Sequence, residues 1–405
     1  MRRSLTAALF AGALVIAGTA ATAPANAAPS TTGYIVMLRD NVKPSSVASE
    51  HSHAHGADLK HVYTHAIHGY SANMSSTAAE RIQKDSRVLR VQQDGTVQTD
   101  AQSTPTGINR ADAELSPTAK INGADERVDV DVAVIDTGVD LDHPDLNVYM
   151  AGAKNCSTGK SADDGNGHGT HVSGTIGALD NTSGVVGMAP GARVWPVRVL
   201  NNAGSGTFSD VICGIDYVTA HANEIEVANM SLGGAGTDSV CGSNTDAMHE
   251  AICNSVSAGI TYAVAAGNET DDAANHTPAA YDEVITVSAL ADFNGQPGGG
   301  APATCRSDID DTIANFSNFG ADVDIMAPGV CIESTWKGGG YNTISGTSMA
   351  TPHVAGGAAL YKATNPSASP SIVKAALQTA GTTNYSWPAG DPDGIQEKLL
   401  NVSTF

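Results

Sequence analysis

The sequence predicts an α/β protein: a mostly parallel β-sheet with helices on both faces, preceded by a small α+β domain. Two observations carry the prediction. From about residue 128, short apolar runs alternate with helical patterns. These runs are near-continuous in apolar residues, as strands buried on both faces must be, which marks a parallel sheet covered by helices. Ahead of them, residues 32–98 show a strand–helix–strand–strand–helix–strand order of their own. A chain of 405 residues also exceeds one typical domain.

The chain opens with "MRRSLTAALFAGALVIAGTAATAPANAAPS". Two arginines precede an apolar run and a small-residue A-x-A site at Ala25–Ala27. That is the pattern of a secretory signal peptide over residues 1–27. A membrane anchor is the weaker reading, because the alanine- and glycine-rich run is short and weakly apolar. No other run is long enough to span a bilayer. The expectation is a secreted, extracellular protein, free of the membrane after export.

Within residues 28–100, "GYIVMLRD" reads as a strand and "PSSVASEHSHAHG" as a helical or loop segment. "GYSANMS" reads as a strand, "STAAERIQKDS" as a helix with an N-cap serine, and "VLRVQQDGTVQT" as a strand. The remaining strand is not assigned to particular residues. Six histidines fall here, in "HSHAHG" and "HVYTHAIH". They read as a titrating patch rather than a metal site. Residues 101–405 form the second unit. Its strands are "VDVAVIDTG", "ARVWPVRVL", "IEVANMSLGG", "ITYAVAAGN", "EVITVSAL" and "VDIMAPG".

The formal charge is −21 and unevenly placed: residues 30–100 balance to zero, and the remaining acidity lies after residue 100. So acidic a chain is a poor nucleic-acid binder. Its carboxylates could hold cations, although most of them read as solvated surface. The six cysteines, Cys156, Cys213, Cys241, Cys253, Cys305 and Cys331, suggest disulfides in an exported protein and leave the connectivity open. Local pairing favours Cys241–Cys253 and Cys305–Cys331. Cys156 and Cys213 then remain, as a third pair or as free buried thiols. The absence of C-x-x-C removes a zinc-ribbon reading.

Four residues at strand or helix ends carry chemistry. Asp136 follows four apolar residues, and a buried carboxylate needs a partner. His168 lies between glycines at a helix start. Asn268 ends a strand in "AVAAGNET". Ser348 lies in "GTSMATPHVAGG", where a helix beginning near Thr347 would put it at the positive end of the dipole. Pro352 would then fall early in the helix, where proline is tolerated. An acid, an imidazole, a hydroxyl and an amide donor are what acyl transfer needs. Singly, each has a structural alternative: a cap, a core histidine, a turn former, a glycine-flanked buried helix.

With these motifs on view, the chain resembles the subtilisin-like serine peptidases, with features of both subtilisins and proteinase K. "DTGVD…HPDL", "HGTHVSGT" and "GTSMATPHVAG" resemble the family's aspartate, histidine and serine motifs. The resemblance implies Asp136, His168 and Ser348 as a catalytic triad and Asn268 as oxyanion donor, in a secreted, self-processing endopeptidase. Residues 28–100 then correspond to the family's inhibitory propeptide, a ferredoxin-like domain that acts as the enzyme's own inhibitor. The other partners implied are protein or peptide substrates, and the expected state is a monomer. Ser231, Leu232, Gly233 and Gly234, with Ala266 and Gly267, resemble the primary specificity pocket. Gly204, Ser205 and Gly206 resemble an edge strand that pairs with extended substrate. No carboxylate sits in these wall segments, so apolar or aromatic residues are expected before the cut bond. A basic-specific, kexin-like pocket is the alternative.

The resemblance also implies structural calcium (Ca2+) and no catalytic cofactor. One site would use Gln102, Asp145 and Asn181 side chains with the carbonyls of Leu179, Ser183 and Val185. A second would use Asp324 with the carbonyls of Asp282 and Val284. All are oxygen donors, as calcium prefers; plain turns are the alternative for both. The stretch around residues 292–314 is longer than in either relative and has no assigned role. Two rival functions are weaker. A metallohydrolase using His168 and His171 lacks the H-E-x-x-H glutamate. A non-catalytic relative would not need all four site residues.

Overall fold

The computed structural model describes residues 31–95 and 101–405. The signal-peptide reading of residues 1–27 lies outside them, as does Asp100. The chain divides into two units between Gln98 and Thr99, and each is considered by itself.

The first unit contains β1 (Thr32–Leu38), α1 (Pro44–His55), β2 (Asp58–Tyr63), β3 (Gly69–Met74), α2 (Ser76–Gln83) and β4 (Val88–Gln93). Its sheet runs β2-β3-β1-β4, all antiparallel. The unassigned strand is β2, in the histidine-rich stretch. Ser75 caps α2 by accepting the Ala78 N–H at 3.2 Å. The histidines do not form a single titrating patch. His51 is buried; its Nδ1 faces the Tyr70 hydroxyl at 2.6 Å and its Nε2 faces Asp85 at 3.0 Å. His53, His61 and His65 are exposed.

The second unit begins with α3 (Thr106–Arg110), β5 (Asp131–Asp136), β6 (Lys154–Asn155), α4 (His168–Gly177) and β7 (Arg193–Arg198). It continues through α5 (Phe208–Ala220), β8 (Val227–Met230), β9 (Gly234–Ala235), α6 (Ala247–Ser257), β10 (Thr261–Ala265) and β11 (His276–Thr277). After these come β12 (Ile285–Ala291), β13 (Thr312–Ile313), β14 (Ile325–Pro328), β15 (Ile332–Trp336), β16 (Gly340–Ile344), α7 (Thr347–Thr364) and α8 (Pro370–Ala380). The main sheet runs β13-β12-β10-β8-β5-β7-β6, with β14 beside β12. Every pairing in it is parallel except β12 with β13. All six expected strands are present.

Strand alternation sorts the core onto two faces. Val132 and Val134 of β5 join a cluster with Val172 and Ile176 of α4 and Val354 and Ala358 of α7. Ala133 and Ile135 join the other, with Val211 and Ile215 of α5 and Met248 and Ile252 of α6. Full burial of β5 beyond its first residue explains its unbroken apolar run. Close approach then dictates small residues. A Cβ on Gly169 would lie 2.1 Å from the Gly138 carbonyl oxygen, and one on Gly356 2.4 Å from Met188 Cβ.

The three disulfides are Cys156–Cys213, Cys241–Cys253 and Cys305–Cys331. The long stretch after β12 is organised by buried aspartates. Asp310 accepts the N–H groups of Phe293 and Ala301, at 2.9 and 2.8 Å. Asp311 accepts those of Gly298 and Gly299 and, through Oδ1, two bonds from Arg110 of α3 at 3.0 and 2.9 Å. The insertion is thus tied to the body of the domain by a buried charge pair.

Candidate active site

Each candidate residue lies just past the carboxyl end of a strand or at a helix N-terminus, where an open α/β sheet gathers its ligands. Asp136 ends β5, His168 begins α4, Asn268 follows β10 and Ser348 opens α7. Strands β10, β8 and β5 are neighbours, which brings segments distant in sequence to one edge.

His168 Nδ1 lies 2.7 Å from Asp136 Oδ1, and the same oxygen accepts the Thr137 N–H at 2.6 Å. Asp136 is fully buried, whereas the His168 side chain keeps 24% of its exposure. Burial pushes the imidazole pKa down. The charge and hydrogen bond of Asp136, with the charge of Asp164, outweigh this and raise it above its ordinary value. Ser348 Oγ donates to the Ser231 carbonyl at 3.3 Å. Asn268 Oδ1 accepts the Thr347 N–H at 2.8 Å and the Thr347 hydroxyl at 3.1 Å, which turns the amide nitrogen the other way. His171 is fully buried, with Nε2 against the carbonyls of Ile332 and Asn342 at 2.9 and 3.1 Å. Its Nε2–H is thereby committed, and burial lowers its pKa to about 3. His168 and His171 do not form a metal pair.

A cleft of ≈ 690 Å³ is lined by His168, Ser348, Gly204–Gly206 and Ser231–Gly234. A second cavity of ≈ 350 Å³ shares Leu232, Gly233, Gly234 and Ser348 with it and adds Ala266, Gly267 and Asn268. All nine expected substrate-binding residues therefore line this surface. Two details differ. Residues 201–206 form a turn rather than a strand, closed by the Asn201 N–H on the Ser205 carbonyl at 2.8 Å; an edge segment counts as strand only when ladder bonds pair it. The second cavity is also lined by Glu269 and His276, so a carboxylate does reach it. Glu269 Oε2 accepts the Asn268 N–H at 2.7 Å and Asn318 Nδ2 at 3.0 Å. Glu269 directly follows Asn268 in "AGNET", and His276 comes from β11; only the former was visible as a neighbour in sequence.

The first cation cradle assembles. Asp145 is 2% exposed and accepts from Val185 N–H at 3.0 Å, Asn181 Nδ2 at 2.8 Å and the Tyr341 hydroxyl at 3.2 Å. Among the described residues no lysine or arginine pairs with it, and burial raises its pKa. The Gln102 side-chain amide reaches the carbonyls of Leu179 and Val185 at 2.6 and 3.2 Å. Here amide N–H groups of Asn181 and Gln102 face these oxygens; a buried carboxylate without a cationic partner, beside the carbonyls that Gln102 bridges, fits calcium once the two amides turn their oxygens inward.

The second cradle is a correction. Asp324 and the carbonyls of Asp282 and Val284 do converge, but on the Lys374 ammonium of α8. Nζ lies 2.7 Å from Asp324 Oδ1, 3.1 Å from the Asp282 carbonyl and 2.8 Å from that of Val284. A fixed positive charge fills the place of a metal, so these three residues do not fit a calcium site.

The chain is similar to known proteins. Residues 128–396 match the subtilase family and residues 33–100 match peptidase inhibitor I9. Subtilisin DY of Bacillus licheniformis is 39% identical over 305 residues, 75% of this chain and 98% of its own. An extracellular serine proteinase of Thermus sp. (strain Rt41A) is 39% identical over 345 residues, covering 83% of this chain and 76% of that protein. The solved structure of a cold adapted subtilisin-like serine proteinase superposes with TM-score 0.52 at 34% identity, over 72% of this chain and 97% of that one. The chain belongs to the subtilase family of serine peptidases, with a peptidase inhibitor I9 domain ahead of its peptidase domain.

Proposed function

We propose that this endopeptidase is exported as a zymogen and works through Ser348, His168 and Asp136. The supporting observation is the buried Asp136 held 2.7 Å from His168 Nδ1, on a cleft that His168 shares with Ser348. Asp136 keeps the Nδ1–H tautomer, which leaves Nε2 free to take the Ser348 proton. Ser348 Oγ attacks the scissile carbonyl, and the Asn268 amide nitrogen with the Ser348 N–H, at the head of α7, holds the oxyanion. His168 then gives its proton to the leaving amine, and water repeats the sequence on the acyl-enzyme. The pocket walls are backbone and small residues, which favours apolar or aromatic side chains before the cut bond; Glu269 adds tolerance for basic ones. Calcium held by Gln102, Asp145, Leu179, Asn181, Ser183 and Val185 would brace the loop over residues 179–185 by oxygen coordination. The enzyme cuts itself between Asp100 and Ala101, within a residue or two, by proximity rather than by fit.

The test is N-terminal sequencing of wild type and Ser348→Ala, made in a host free of other proteases. Wild type should begin at Ala101 and the variant should keep residues 28–100. A Ser348→Ala protein that begins at Ala101 removes self-processing, and one that still degrades casein removes the triad.

A further inference from the structure

Pro352 is not in the first turn of α7, which begins at Thr347, so first-turn tolerance does not explain it. In an α-helix each C=O accepts the N–H four residues on. Proline has no N–H, and the carbonyl it deprives is that of Ser348. The replacement donor comes from another element: Ser231 Oγ donates to the Ser348 carbonyl oxygen at 2.8 Å. A serine hydroxyl has one hydrogen, and here it is committed. The same oxygen accepts Asn229 Nδ2 at 2.9 Å. Asn229 is fully buried on β8, between β5 and β10, and its own Oδ1 has no partner among the described residues. A buried unpartnered amide oxygen is costly, so an apolar residue of similar size would serve the core better. The side chain is explained by what its nitrogen holds.

We infer that Asn229 and Ser231 are positioning residues that clamp Ser348 to the centre of the sheet, supplying the bond that Pro352 denies the helix. The inference rests on Ser348 as nucleophile. Ser231 holds that residue through its main chain, its hydroxyl donating to the Ser348 carbonyl; the 3.3 Å contact of the Ser348 hydroxyl with the Ser231 carbonyl is given up when that proton turns to His168. The main chain that carries the reacting oxygen is thereby tied to the segment just past β8, at the centre of the sheet. Asn229 lines neither cavity of the cleft, so it acts only through Ser231.

The test uses four variants of the full chain: Ser231→Ala, Asn229→Leu, Pro352→Ala and the double Ser231→Ala/Pro352→Ala. Rates on a chromogenic peptide are normalised to active sites counted with a fluorophosphonate, and the thermal midpoint is recorded alongside. Ser231→Ala should lower kcat by up to about 10²-fold, the scale of a small misplacement of a reacting group, with KM little changed. Asn229→Leu should lower it less, without lowering the midpoint in proportion. Pro352→Ala restores an N–H aimed at the Ser348 carbonyl, so the double variant should recover most of the loss. A double variant as slow as Ser231→Ala overturns the clamp, as does a Ser231→Ala enzyme with wild-type kcat. Wild-type enzyme that resists the fluorophosphonate overturns the role of Ser348 instead.

Discussion

At His168 opposing influences meet. Desolvation favours the neutral ring, and Asp136 and Asp164 favour the charged one and prevail. The base must be neutral to take the Ser348 proton, so activity is present above the raised pKa and lost as pH falls through it. The expected profile of kcat/KM, which reports the free enzyme, has its acid limb centred above the ordinary value of 6.5. Asp136→Asn should move that limb down and lower kcat by about 10⁴, whereas a limb that stays in place would detach Asp136 from the base. The four site residues were legible in sequence because each follows a local signal: an apolar run that stops at a polar residue, or glycines at a helix start. Glu269 and His276 were not read as pocket residues. Their place there depends on how the segment after β10 folds back to β11, a tertiary matter.

At the scale of elements, two loops that present converging oxygens behave differently because of one lysine. Around Asp145 the negative charge is left for a cation. Around Asp324, α8 delivers Lys374 into the cradle. Chelation should therefore lower the thermal midpoint of wild type. A bound ion adds about 3 kcal/mol at a hundredfold excess over Kd. Asp145→Ala should blunt the response. In that background, Lys374→Ala breaks a pair whose lysine is 23% exposed, at a cost of roughly 1–3 kcal/mol. It should also restore a calcium-dependent midpoint by opening the second cradle. Calorimetry with and without calcium decides this: a double variant indifferent to calcium would show that Lys374 does not stand in for a cation.

Over the whole molecule, buried carboxyls set how stability follows pH. Glu397 is 6% exposed. Burial, reinforced by the charges of Asp393 and Asp391, pushes its pKa from 4.5 to about 7. Its folded pKa is raised, so the folded state holds the proton more tightly than the unfolded chain. Stability from this group is therefore full below about pH 4.5 and falls as pH rises through about 7. The loss is on the order of 3 kcal/mol. Glu397→Gln removes the group that must ionise. Its thermal midpoint should match wild type near pH 4 and exceed it near pH 8. A variant equally or less stable than wild type at the higher pH would mean that Glu397 ionises without cost.

By itself the sequence determined what is written locally. Six of the sheet's eight strands follow from near-continuous apolar runs, because a strand buried on both faces has no polar face to show; β6 and β13, two residues each, are too short to leave such a run. The triad motifs carry their own turn and cap residues, whereas the cysteine connectivity stayed open until the structure paired them. Tertiary structure alone decided which distant groups meet. Arg110 reaches Asp311 across 201 residues, and Lys374 reaches the Asp282 carbonyl across 92. The Ser348 carbonyl left bare by Pro352 finds Ser231 across 117. None of these has a sequence signature, because a buried charge or an orphaned carbonyl constrains the chemistry of its partner, not the partner's place in the chain.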